Sequence, residues 1–213
     1  MNLVKYLPFL FVILVGCKTS KLTTDQLIHA NFDVSQEQLI SQGTATDAMR
    51  LFLLTNPSDS VLLRKKSVTV NIQDTDPDLD LFIDRLYATV TDSMSLGVGI
   101  AAPQVGILKN IIWVQRFDKP EFPFEVYLNP VIRQYSTKKQ PCMEGCLSIP
   151  DKRGETQNRA YAILLEYDKR DGSHHIEMVE DFTAVIFQHE IDHLNGIVFL
   201  DHLEKESDTS TGN

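Results

Sequence analysis

Chemistry concentrates in the stretch QHEIDHLNG, residues 188–196. His189 and His193 stand four positions apart. On a helix that spacing puts both imidazoles on one face, about 5–6 Å apart at Cβ. Two ring nitrogens can then bind one metal ion at roughly 2.1 Å each. Glu190, beside His189, can serve a water on that ion as general base. Two surface histidines on a polar face would give the same spelling. Phe182, Val185 and Ile186 continue the stripe as apolar residues, which predicts that this face turns toward the core. A buried histidine pair without a ligand would need other partners.

A metal site needs a third donor. HEIDHLNGIVF approaches the pattern H-E-x-x-H-x-x-G-x-x-H, but its last position is Phe199, which cannot bind metal. Downstream, Glu204 and Glu206 stand in a polar tail, so the third ligand is expected upstream. Cys146 in EGCLSIP is the best candidate, because a thiolate binds zinc or iron strongly. A buried structural cysteine is the competing reading. The chain has three cysteines, Cys17, Cys142 and Cys146. QPCMEGCLSIP does not read as a helix, and in extended chain positions four apart lie roughly 13 Å apart. A disulfide needs Cα atoms within about 7 Å, so a Cys142–Cys146 bridge is not expected.

The elements that must position these groups are partly readable. Leu79, Phe82, Leu86, Val90 and Met94 recur at three- and four-residue steps and predict an amphipathic helix, with Pro77 suited to its first position. Residues 181–196 give a second helix, with Gly196 at its C-terminal end. Strand-like runs are NIIWVQR, FEVYLNPVIRQ, AYAILLEYD and HHIEMVE, the last two joined by an Asp171-Gly172 turn. TNPSDS reads as a turn-rich break. The tail EKESDTSTGN reads as disordered. The class is α+β, with mixed or antiparallel sheets packed around a central helix that carries HEIDH.

Composition bounds the rest. With 213 residues, one domain plus an extension is expected, and 43% hydrophobic content suits a globular fold. A net charge of −9 without a Lys/Arg cluster argues against a nucleic-acid partner. Lys5 followed by an apolar run to Gly16 is too short to span a bilayer and fits a secretory signal. LVGC, residues 14–17, resembles the lipobox of bacterial lipoproteins, which implies cleavage before Cys17 and lipid on it. The expected organisation is a signal peptide at 1–16, a lipidated polar tether at 17–48, a catalytic domain at 49–204 and a tail at 205–213.

Three stretches converge on one family. GVGIAAPQ (residues 97–104), EGCLS (144–148) and QHEIDH (188–193) resemble the three signature motifs of peptide deformylases, in order and at ordinary separation. The resemblance implies one divalent ion, usually Fe2+ and sometimes Zn2+, Ni2+ or Co2+, on Cys146, His189 and His193. It implies removal of formate from N-formylmethionyl peptides by hydroxide generated on the metal. Glu190 would shuttle the proton, and the Gln104 amide and Leu147 N–H would meet the oxyanion. Val98, Val185 and Ile186 would line the methionine pocket, while Gly99, Gly145 and Arg153 would meet the substrate, with Gly99 on an edge that a peptide joins as a strand.

The sequence departs from the family in places. ETQNRA, after CLSIPDKRG, is polar and one residue longer than usual, which leaves specificity open at 155–158. The acidic tail offers no basic helix for docking on a ribosome. A peptidase on the same scaffold and a non-catalytic surface protein are the competing functions. The signal implies an exported, membrane-anchored enzyme; a cytosolic form starting at Met49 is the alternative.

Overall fold

The computed structural model describes residues 31–72, 76–93 and 97–211, which belong to one unit, Asn31–Asn213. The expected signal peptide and Cys17 lie outside these residues, as does Met94. Helix α1 (Val34–Ile40) starts at a capping box, Asp33 with Gln36. Helix α2 (Pro57–Leu63) occupies what reads as a turn-rich break. Asn56 caps it by accepting from Ser58 N–H and Asp59 N–H, and Pro57 pre-sets its first turn. Helix α3 (Pro77–Thr91) begins after Asp76 and buries Leu79, Phe82, Leu86 and Val90 of the expected stripe, and Ile83 beside them.

Five antiparallel strands form the main sheet. They are β1 (Gly99–Ala101), β2 (Ile111–Gln115), β3 (Phe124–Tyr135), β6 (Ala162–Asp168) and β7 (His174–Glu180), in the spatial order β1-β2-β3-β6-β7. A short 3-10 turn, Ala102–Val105, follows β1 and carries Gln104. Along β2 the side chains alternate between two cores. Ile111 joins α3, while Ile112 and Val114 face helix α4 (Asp181–Leu194). The sheet is thus a partition with α3 on one face and α4 on the other, an α+β arrangement. Gly196, at φ +74°, ends α4 where a Cβ would lie 2.4 Å from the Arg64 carbonyl, so glycine is required there.

Strands β4 (Lys139–Cys146) and β5 (Ile149–Ala160) form a separate hairpin. The polar ETQNRA segment is therefore a strand and not a loop. Thr156 and Arg159 point inward, and Gln157 and Asn158 stay exposed. Neither Cys142 nor Cys146 is in a disulfide.

Two expectations about the ends are corrected. The tail is not disordered: helix α5 runs from Phe199 to Thr211. Phe199, Leu200 and Leu203 pack with Ile149, Val198 and Leu54 in a third small core, and the Glu206 carboxylate accepts the N–H groups of Gln157 and Asn158. A polar composition hid a helix whose apolar anchors all lie in its first turns. Nor are residues 31–48 a tether. Phe32 and Ile40 are buried in the α3 core, and Arg85 donates to the carbonyls of Leu39, Ile40 and Asp47.

Candidate metal centre

Helix α4 lays His189 and His193 against the hairpin end that bears Cys146. One donor atom from each of Cys146, His189 and His193 lies within 4.8 Å of the others. The Cys146 Sγ to His193 Nε2 distance is 3.1 Å. His189 Nδ1 is held at 2.8 Å by Glu144 Oε2, which leaves its Nε2 for the cluster. The His189 ring stacks on Phe199, 6.2 Å between centroids. Phe199 therefore serves the centre by packing and not by ligation.

The donors suit a cation. Burial pushes the Cys146 thiol up, but the imidazoles beside it, His193 foremost, hold it well below its ordinary value. A thiolate and two imidazoles are a donor set for zinc or iron. Glu190 is buried with its Oε2 lacking a hydrogen-bond partner, as expected of a carboxylate that serves something other than protein. Burial raises its pKa to about 7, against the pull of His189 and His193. Gln104 is fixed by its Oε1 accepting from Ala101 N–H at 2.9 Å. Its amide group then points toward Cys146 Sγ (3.5 Å) and Ser148 Oγ (3.3 Å).

These groups open into a cavity of about 690 Å³. Val98, Gly99, Gly145, Leu147, Arg153, Val185 and Ile186 all line it, with Gln104, Cys146, His189 and Glu190. Among the described residues strand β1 is an edge of the main sheet, paired only with β2. At Gly99 a Cβ would fall 2.5 Å from Glu190 Oε1, so glycine lets the strand approach the helix. Gly145 is different, since a Cβ there would meet the Arg153 stem at an ordinary 3.5 Å. Phe182 is not on the buried stripe. It is 42% exposed and sits at the cavity rim, because α4 emerges there.

Sequence reasoning missed the support beneath the ligands. Glu144 accepts from Arg159 Nε (2.8 Å), Arg159 Nη2 (2.9 Å) and Thr156 Oγ1 (2.5 Å) while holding His189. Burial opposes its charge, but His189 and Arg159 keep it well below the usual carboxylate range. Arg159 also reaches Asp192 Oδ2 at 2.6 Å, and His202 closes on the same oxygen at 2.8 Å. Thr156 and Arg159 stand three apart and face the same side only across a register irregularity between Gln140 and Cys142, so strict alternation gave no signal for them.

Fold and site together define the class: an α+β protein with a Cys-His-His group able to hold a metal ion beside a buried glutamate. Residues 52–209 match the family model described as polypeptide deformylase. A peptide deformylase of Zymomonas mobilis is 36% identical over 149 residues, 67% of this chain and 81% of that protein. Peptide deformylase 1 of Bifidobacterium longum is 34% identical over 195 residues, 87% of this chain and 86% of its own. A Met-Ala-Ser-bound class I type b peptide deformylase from Acinetobacter baumannii superposes with a TM-score of 0.66 at 33% identity. It covers 74% of this chain and 99% of the other. The chain belongs to the peptide deformylase family, hydrolases that remove formyl groups. That membership favours deformylation over the peptidase and binding-protein readings.

Proposed function

We propose that the chain removes formate from N-formylmethionyl peptides with Cys146, His189 and His193 holding one divalent ion. The convergence of these donors beside Glu190 on a cavity floor carries the reading. When bound, the ion supplies Lewis acidity toward a water molecule and the formyl oxygen. Fe2+ is the ion we favour, and Zn2+, Ni2+ or Co2+ suit the same donors.

The residues divide the remaining work. Glu190 Oε2 accepts the proton of the attacking water and delivers it to the leaving amine nitrogen. The Gln104 amide, already oriented by Ala101, donates to the developing oxyanion, and the Leu147 N–H is its companion. The free edge of β1 accepts the peptide as an added strand at Gly99. Val98, Val185 and Ile186 surround the methionine side chain, and Arg153 and Gly145 face the following residues. The test is formate release from formyl-Met-Ala-Ser by protein loaded with Fe2+ or Ni2+. No release with full metal occupancy would overturn the assignment.

The enzyme is further proposed to be exported and anchored through lipid on Cys17. The apolar run ending in LVGC supports this, as does the acidic composition of α5, which is unsuited to a ribosome surface. A start at Met49 is disfavoured, since it would strip Phe32 and Ile40 from the core. Mass spectrometry of the native N-terminus decides: a diacylglyceryl Cys17 supports export, and an unmodified Met49 terminus refutes it.

A further inference from the structure

Helix α5 meets the metal centre twice. Phe199, His202 and Glu206 stand three and four positions apart, which puts them on one face of the helix. Phe199 stacks on His189, and Glu206 accepts the N–H groups of Gln157 and Asn158 on β5. Between them His202 reaches Asp192 Oδ2. Asp192 belongs to α4 and precedes His193 in the chain. The contact therefore ties the helix of the two histidine donors to the helix that backs them.

Its polarity is defined. Asp192 Oδ2 already accepts from Arg159 Nη1 at 2.6 Å. A carboxylate beside a guanidinium is ionised and offers only acceptors. His202 Nε2 lies 2.8 Å from the same oxygen, so Nε2 carries a proton and donates it. The 3.5 Å approach of Nε2 to Arg159 Nη1 is then a meeting of two donors, held together only by the shared oxygen. An imidazole can supply this N–H without a full charge, whereas lysine at 202 would set a second cation beside Arg159.

Arg159 is 4% exposed and faces two carboxylates. Its Nε and Nη2 hold both oxygens of Glu144, and its Nη1 goes to Asp192. Glu144 in turn holds His189 Nδ1. The two bonds to Glu144 fix the spacing of the pair, and the third bond, to Asp192, fixes the tilt of the guanidinium plane. His202 sets where the Asp192 oxygen stands. Without it the Asp192 carboxylate, 19% exposed, can turn to water, and Arg159 Nη1 loses its partner.

On the reading of Cys146, His189 and His193 as metal donors, we infer that His202 is a positioning residue of the centre: through Asp192, Arg159 and Glu144 it holds the His189 ring at the angle from which its Nε2 binds the ion.

The test compares wild type, His202→Phe and His202→Gln. Phenylalanine fills the space of the ring without the N–H, and glutamine returns an N–H donor at the place of Nε2. Zn2+ affinity is read by competition with a chelator, the His189 Nδ1 proton by NMR of the Zn2+-loaded protein, and folding by urea midpoints. His202→Phe should bind Zn2+ about three- to tenfold more weakly, less than the about 10–100-fold of a group that touches the ligand itself, and should shift the His189 proton. His202→Gln should regain most of both. With Zn2+ saturating, KM for formyl-Met-Ala-Ser should stay unchanged, because His202 does not line the cavity. A His202→Phe protein with wild-type affinity and an unmoved His189 proton would overturn the proposal. So would a loss of affinity that glutamine does not regain, since packing alone would produce it. A wild-type protein that holds no Zn2+ would overturn the metal reading itself, and this role of His202 with it.

Discussion

Glu190 and Glu144 are both buried carboxylates within one turn of space around His189, and their surroundings give them opposite tasks. Glu144 is saturated by Arg159, Thr156 and His189 and stays ionised. Glu190 has an oxygen with no protein partner and a pKa raised by burial to about 7. One holds a ring in place, and the other exchanges a proton. Glu190→Gln should therefore keep its metal and lose at least about 100-fold in kcat, measured by formate release beside metal analysis. Loss of the metal together with activity would contradict a pure proton-transfer role. Glu144→Gln should behave differently. The His189 ring loses its charged anchor, and metal affinity should fall about 10–100-fold, as read by competition with a chelator. An unchanged affinity would show that ring orientation is set elsewhere, for instance by the Phe199 stack.

Elements of strong periodicity were legible, and those whose order comes from a neighbour were not. The stripe Leu79, Phe82, Leu86, Val90 and the alternating runs of β2, β3, β6 and β7 carry their own hydrophobic pattern, so they appear in the sequence. The hairpin β4-β5 holds prolines, glycines and many polar residues, and its order derives from burying Arg159 against Glu144. Helix α5 is mostly polar and depends on Phe199, Leu200 and Leu203 finding Ile149. HEIDH and EGC were readable as donors, but the distance between them was not, because it is set by these dependent elements. Phe199 is the hinge of that dependence, packed under the hairpin and stacked on His189. Phe199→Ala should cost about 3–5 kcal/mol of stability and lower metal affinity as well. Urea unfolding and chelator competition would measure the two. A stability loss without any change in metal affinity would separate the third core from the centre.

At the scale of the whole molecule, the catalytic unit begins upstream of the family match at residue 52. Residues 31–48 close the α3 side of the core with Phe32 and Ile40. Phe32 meets Phe82 edge-on at 5.7 Å. They also supply the carbonyls that satisfy Arg85, a buried guanidinium on α3 itself. Met49 then enters the cavity wall with its N–H donated to Thr89 on the same helix. The extension therefore reaches the site through α3. A protein begun at Met49 would forfeit the burial of Phe32 and Ile40, worth about 1.5–3 kcal/mol each. It would also remove the Leu39, Ile40 and Asp47 carbonyls that Arg85 donates to and uncover its guanidinium to water, so the hydrogen bonds lost are worth about 0.5–1.5 kcal/mol each at most. Against a typical total of about 5–15 kcal/mol, such a chain should be marginal: a urea midpoint far below that of the longer protein, and aggregation on concentration. Arg85→Met in the longer chain tests the other side of the same contact, because it keeps an apolar stem but leaves the carbonyls of Leu39, Ile40 and Asp47 without their donor. If the Met49 chain instead unfolds at the same urea concentration as the longer one, residues 31–48 contribute nothing to the core, and a short form becomes a workable enzyme.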